Sequence, residues 1–317
     1  MSMDEDLRPE EFAEAASAAV GDVIGREFAE VASTLGGAGL LGVCAAEEDG
    51  GMGLPIAFAV PICQVAGRLR LRFPVVEQAL VAKALAGTPQ AAELINGERT
   101  ATIAWHAEHQ GMAGHAPYAA DCDWILVPDG DGAALVARDA VTLTPHAELD
   151  PESPYYSVSL ESAPILQRIS VQRYQALREE AYLLTGAYLN GAAQGALEYT
   201  ADYLAGRVQF GRPLTAKQAV RHHLARMKLL NEVSLCAIAR AVETDEFDAT
   251  RSYKTAWAGA LTNALFVIEK AIHLNGGMGF TWEVPLHYAL RDARRIEAAL
   301  QGSATINAIG QNFIDAA

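Results

Sequence analysis

RVQFGRPLTAKQ, residues 207–218, interrupts a long helical pattern, and its reading decides how the second half of the chain folds. Before it, Glu179 to Gly206 carries apolar residues at helical spacing, among them Ala181, Leu184, Ala187, Tyr188, Leu197 and Tyr203. After it, Lys217 to Thr244 repeats the pattern through Val220, Leu224, Met227, Leu230, Leu235 and Ile238. Gly211 and Pro213 end one helix and start the next, because glycine tolerates backbone angles others avoid and proline fixes its own φ. The spacing predicts two long antiparallel helices joined by a tight turn that bears an arginine, an aromatic ring and a glutamine. Taken alone, the stretch reads equally well as a helix hairpin with a solvated arginine.

Outward from this hairpin the chain reads as helix, then strand, then helix. Pro9 to Ala32 predicts one amphipathic helix or a broken pair, weakened at Gly21 and Gly25. Ala45 to Pro55 is a loop. Ile56 to Leu69 and Val75 to Ala86 read as buried helices, and Gln90 to Asn96 as a short one. Short β-prone runs follow at 100–105, 124–127, 133–137, 141–144 and 155–160, separated by Gly, Pro and Asp. From Val171 onward the pattern is helical again. The expected fold is mainly α with a small central antiparallel sheet: residues 1–99 helical, 100–166 β, and 167–317 a helical bundle.

Composition narrows the function. The chain has 317 residues, 51% of them hydrophobic, which suits a folded protein with a sizeable core. A formal net charge of −15 argues against nucleic acid and against an anionic membrane surface as partners. Cys44, Cys63, Cys122 and Cys236 are far apart in sequence and read as reduced thiols of a cytoplasmic protein. The opening MSMDEDLRPEE lacks an apolar signal core, and no run is long enough to span a bilayer. His106, His109 and His115 are too weakly supported by cysteines or paired carboxylates to predict a metal site.

A second stretch, IHLNGGMGFTWEVPLHYALRDARR at 272–295, sets three glycines after an apolar helix. Such a cluster lets backbone amides approach a phosphate, but taken alone it reads first as a helix end followed by a turn. It is neither a GxGxxG after a strand nor a P-loop.

Four stretches together resemble the acyl-CoA dehydrogenase family. RVQFGRPL with Gln218 resembles its RxxFGxxL…Q pattern, and HLNGGMGF from His273 resembles QxxGGxGF. PLHYALRDAR from Pro285 resembles PLxRxxRDAR, and LLGVCAAEEDGGMG from Leu40 resembles GLLGLxVPEExGGxG. They occur in the family's order across nearly the whole chain. The resemblance implies an N-terminal helical domain, a middle β domain and a C-terminal four-helix bundle. It also implies FAD, an acyl-CoA substrate oxidised between Cα and Cβ, and electron-transfer flavoprotein as acceptor.

Carried over residue by residue, the resemblance assigns Arg207, Phe210 and Gln218 to the adenosine diphosphate half of a neighbouring subunit's FAD. A guanidinium suits pyrophosphate and an aromatic edge suits adenine. His273, Asn275, Gly276 and Gly277 match the glycine-rich pyrophosphate contact, with His273 in place of the family's Gln. Ser303 and Thr305 fall where the family has Thr and Gln near the adenine.

The catalytic base does not carry over. The family's usual Glu, in YEGTSQ, aligns with Gln301 of LQGSAT. An amide does not take a proton at neutral pH. In a minority of the family the Glu opens the long helix, and that position is Ala181 here. Glu179 and Glu180 lie one or two residues off, a turn of about 100° per residue. Glu297 sits one turn before Gln301. The family's TEPxxGSD, which borders the flavin ring, is AWHAEHQGM here (104–112).

These departures most resemble the short, non-catalytic subunits of heterotetrameric (α2β2) acyl-CoA dehydrogenases that act on steroid side chains in bacteria. In those enzymes a second subunit carries the catalytic Glu. A homotetramer with a displaced base, Glu180 or Glu297, and a flavin-free scaffold are the rival readings.

Overall fold

The computed structural model describes residues 7–109, 111–146, 153–160, 163–243 and 252–315. The acidic opening of the chain lies largely outside these residues, as does Thr244 at the expected end of the second long helix. In chain order the helices before the strands are α1 (Glu11–Val23), α2 (Phe28–Gly37), α3 (Ala59–Leu69), α4 (Val75–Ala84) and α5 (Pro89–Ile95). The strands are β1 (Ala101–Ile103), β2 (His106–His109), β3 (Met112–Pro117), β4 (Trp124–Asp129), β5 (Gly132–Ala137), β6 (Thr142–Pro145), β7 (Tyr155–Ser159) and β8 (Ile165–Ile169). Then come α6 (Val171–Gly206), a two-stranded hairpin of β9 (Val208–Gln209) and β10 (Arg212–Pro213), and α7 (Gln218–Val242). The chain closes with α8 (Tyr253–Leu274), α9 (Leu286–Ala299) and α10 (Gly302–Asp315). The fold is mainly helical with a β region in the middle, as the sequence predicts.

Two compact units form, one from Met1–Cys63 and Leu71–Leu184, the other from Gln64–Arg70 and Thr185–Ala317. In the first unit the expected N-terminal helix is a pair, broken where Gly25 adopts φ 80°. Gln78 of α4 is fully buried and serves three backbone groups. Its Nε2 donates to the carbonyls of Leu94 (2.9 Å) and Arg99 (3.0 Å), and its Oε1 accepts from the amide of Ala101 (2.6 Å). This one side chain ties α4 to the end of α5 and the start of β1. Gln78→Leu removes this partner from all three groups, of which the Leu94 carbonyl keeps the Gly97 amide (3.3 Å), and should cost about 2–3 kcal/mol in urea denaturation. A wild-type midpoint would show the groups find other partners.

The β region is two four-stranded sheets, in the orders β1-β4-β5-β8 and β2-β3-β7-β6. All pairings within them are antiparallel except β1 beside β4, which run parallel with Ala101 opposite Trp124. Between the sheets lies a core of small residues: Ala104, Ala113, Ala116 and Ala134 pack with Ile125, Val127, Val136 and Val158. Strands β2, β3 and β8 go beyond the runs the sequence shows. MAGHAP carries no clear apolar alternation, because its buried positions are Ala113, Ala116 and Pro117, and in HAEH Ala107 and His109 are exposed.

In the second unit, α6 is buried at every position from 185 to 193. Three glycines let it touch the end of α3 backbone to backbone. A Cβ at Gly191 would lie 1.9 Å from the carbonyl oxygen of Gln64, and one at Gly195 2.4 Å from that of Arg68. A Cβ at Gly67 would lie 2.0 Å from the carbonyl oxygen of Tyr188. Helix α8 shows solvent a small and polar face of Thr255, Gly259, Thr262, Glu269 and His273. Exposed apolar side chains lie elsewhere, at Leu229, Val233 and Leu235 on α7 and at Ile306, Phe313 and Ile314 on α10. Among the described residues no helix is long and apolar enough to cross a membrane. All four cysteines are free thiols, and burial pushes Cys44 up to about 12 and raises Cys63 and Cys122 as well.

Candidate functional site

The turn between α6 and α7 is built by two positive φ angles. Phe210 has φ 55° and Gly211 φ 75°, with Gln209 paired to Arg212 on either side. That pair of angles belongs to a two-residue hairpin. Glycine meets it without strain, while an aromatic residue does not. The strain at Phe210 coincides with its display: the ring is 88% exposed. Lys217 holds its ammonium 5.1 Å from the ring centroid, which gives the tip a cationic face. Arg207 follows the last turn of α6, its amide bonded to the Tyr203 carbonyl (3.0 Å) and its carbonyl to the Leu214 amide (2.9 Å). Its side chain is exposed, and so is Gln218 at the first turn of α7. Arg207, Phe210 and Gln218 are thus carried on one hairpin, and Lys217 joins them as a residue the sequence pattern did not single out.

The glycine stretch after α8 is a helix end followed by a short 3-10 turn, Gly276–Phe280. Gly276 has φ 63°, and Gly276 and Gly277 are exposed with open space where a Cβ would stand. His273 is exposed on the last turn of α8. Asn275 differs from its neighbours. It is 3% exposed, and its Nδ2 donates to Thr200 Oγ1 (3.0 Å) and to the Ala271 carbonyl (2.9 Å). Its side chain therefore caps α8 from inside the unit. On α10, Ser303 is exposed, whereas the Thr305 hydroxyl donates to the Leu300 carbonyl (3.2 Å).

The two base positions differ in setting. Gln301 lies exposed in the turn between α9 and α10 with φ 52°. It borders a shallow cavity of about 500 Å3 together with Arg294, Glu297 and Ser303. In that cavity Arg294 donates to Glu297 (2.8 Å) and to Glu269 of α8 (2.8 Å). The hydrogen bond from Arg294 to Glu297 is the main cause of the raised pKa of Arg294. Ala181 is fully buried. Glu180, one position before it, is ion-paired with Lys83, and Glu179 turns outward. Consecutive positions on α6 thus run from exposed through partly covered to buried. The carboxylates nearest each base position, Glu180 and Glu297, are both engaged by a cation.

Three histidines of the β region, His106, His115 and His146, form part of a run of ring contacts, while His109 is exposed. His106 of β2 meets His115 of β3 at 4.5 Å between centroids, His115 stacks on Tyr155 at 4.7 Å, and Tyr155 on His146 at 4.8 Å. These spacings follow the distance between neighbouring strands. Among the described residues no group of three or more His, Cys, Asp or Glu is placed to hold a metal ion.

Residues 175–308 match the sequence model of the family "Acyl-CoA dehydrogenase, C-terminal domain". The acyl-CoA dehydrogenase FadE34 of Mycobacterium tuberculosis is 29% identical over 285 residues, which cover 85% of this chain and 40% of that protein. The chain thus spans less than half the length of this relative. Among solved structures, a variant of the Tcur3481-Tcur3483 steroid ACAD superposes with a TM-score of 0.85 at 24% identity, covering 97% of this chain and 98% of that one. The ChsE4-ChsE5 complex from Mycobacterium tuberculosis superposes with a TM-score of 0.84 at 23% identity, covering 99% of each chain.

Proposed function

We propose that this chain, whose residues 175–308 match the acyl-CoA dehydrogenase C-terminal domain and which shares the fold of the steroid ACAD chains, is one subunit of a heteromeric FAD-dependent acyl-CoA dehydrogenase. It contributes contacts to a flavin held mainly by a neighbouring subunit and supplies no catalytic base of its own. FAD supplies the family's two-electron oxidation of an acyl-CoA between Cα and Cβ. The observation that carries this reading is the pair of base positions. One is an exposed amide, Gln301, and the other a buried methyl, Ala181. Neither can take a proton from a substrate.

The hairpin and glycine turn fit the adenosine diphosphate half of FAD. Arg207 offers charge-assisted donors, Phe210 an exposed ring, and Gly276 and Gly277 open backbone. All of these groups face outward, as they must if the flavin sits mostly in another chain. Gln218, His273 and Ser303 belong to the same set, whereas Asn275 and Thr305 contribute through their backbone. The exposed apolar residues of α7 and α10, with Phe280 and Trp282, support an obligate interface, on the order of 2,000 Å2 or more. The partner carries the catalytic Glu in an α2β2 assembly, the substrate is a bulky acyl-CoA of the steroid side-chain kind, and electron-transfer flavoprotein takes the electrons. Residues 1–99, 100–166 and 167–317 serve as the helical, β and bundle domains of this subunit.

One observation favours a second reading. Glu297 lines the same cavity as Gln301 and would be the displaced base of a self-sufficient enzyme. Purified alone and supplied with FAD and an artificial electron acceptor, the chain should turn over no acyl-CoA. Turnover by the chain alone that disappears in Glu297→Gln or Glu180→Gln would overturn the proposal and identify the base.

A further inference from the structure

A line of side-chain amides runs through the second unit and ends at a cavity that the flavin reading does not use. Gln64 Nε2 donates to Asn190 Oδ1 (3.0 Å), and Asn190 Nδ2 donates to Asn231 Oδ1 (3.0 Å). Asn231 Nδ2 donates to Gln194 Oε1 (2.8 Å), and Gln194 Nε2 to Glu198 Oε1 (2.6 Å). Asn190 and Asn231 are buried. Residues 190, 194 and 198 recur every fourth position on α6, so the relay follows one stripe of the helix. Each amide donates toward the carboxylate, so their dipoles reinforce one another and fix Glu198. The other oxygen of Glu198 accepts from Arg68 Nε at 2.8 Å. That bond orients the guanidinium from its Nε side, and Arg68 lines the cavity.

The cavity holds about 270 Å3 and is mostly apolar, with Gly195, Ala196 and Leu286 among its walls and Tyr199 at its edge. A second cation, Arg70, lines it. Arg70 sits in a strained left-handed conformation (φ 53°), with its guanidinium 4.5 Å over the Tyr288 ring and 3.8 Å from buried Asp292. Asp292 balances the charge of Arg70, and Glu198 that of Arg68. What remains directed at the cavity is a preorganised guanidinium fork beside an apolar recess. That combination accepts a carboxylate end-on while its hydrocarbon body is buried.

We propose that this cavity binds a small amphipathic monocarboxylate, its apolar body against Gly195, Ala196 and Leu286 and its carboxylate on the terminal nitrogens of Arg68. The ligand is a free acid, chemically distinct from a coenzyme A thioester, and the site is independent of the flavin contacts. The probe is sodium phenylacetate, titrated into the purified full chain by calorimetry and ligand-observed NMR, with phenylacetamide as its neutral counterpart. The acid should bind saturably in roughly the millimolar range, and the amide about tenfold more weakly or worse. Arg68→Gln should bring acid binding down to the level of the amide, and Ala196→Leu, which fills the recess, should abolish both. Arg68 lies at the surface, so the Gln variant carries the test even if Ala196→Leu fails to fold. The proposal is overturned if the acid does not bind saturably, if amide and acid bind equally, or if Arg68→Gln leaves acid binding unchanged.

Discussion

Gly191→Ala should abolish the native packing of the second unit. The added methyl would lie 1.9 Å from the Gln64 carbonyl oxygen, a backbone atom with no side-chain freedom to move aside. Relief requires α3 and α6 to separate, which also breaks the hydrogen bond from Gln64 to Asn190 (3.0 Å). Overpacking a tight core costs about 1–3 kcal/mol when side chains can yield. With backbone on both sides the expected loss is about 4 kcal/mol or more, a large share of the stability of a typical domain. Urea denaturation followed by circular dichroism measures it, and a midpoint within experimental error of wild type would show that the two helices do not meet backbone to backbone at Gly191.

Arg207→Ala should strip flavin from the assembled complex. The side chain is exposed in this chain and has no structural work there that its loss would disturb. On the proposed function the substitution removes one charge-assisted contact to pyrophosphate, which costs roughly 1.5–3 kcal/mol, a loss of about ten- to a hundredfold in FAD affinity. Thermal stability of the chain itself should stay unchanged. Unaltered flavin retention after gel filtration would remove Arg207 from the site.

How much of this was legible in the sequence varies with the physics of each element. Gly211 and Pro213 marked the hairpin, because their backbone restrictions are local. The positive φ of Phe210 was not legible, since nothing in an aromatic side chain announces a strained backbone. The glycines at 276 and 277 suited either a phosphate contact or a helix end, and the geometry is a helix end that leaves both exposed. Asn275 looked like part of that contact, yet its amide points inward to Thr200. A motif gives the residue type but not the side-chain direction. Ala181 and Gln301 were visible as departures from a family pattern, but that one is buried and the other exposed is a tertiary fact. The amide relay from Gln64 to Arg68 joins residues up to 130 positions apart, beyond the reach of local periodicity.

The central claim is that this chain completes a flavin site whose base lies in another subunit. The most direct test is the flavin content of the complex formed when the chain is co-expressed with a second acyl-CoA dehydrogenase subunit that carries the catalytic Glu. The expected result is a stoichiometric yellow assembly with half as many flavins as chains, whose turnover is lost when the partner's base is changed to Gln and kept in Glu297→Gln of this chain. One flavin on every chain, or turnover that survives loss of the partner's base and falls with Glu297→Gln, would contradict it.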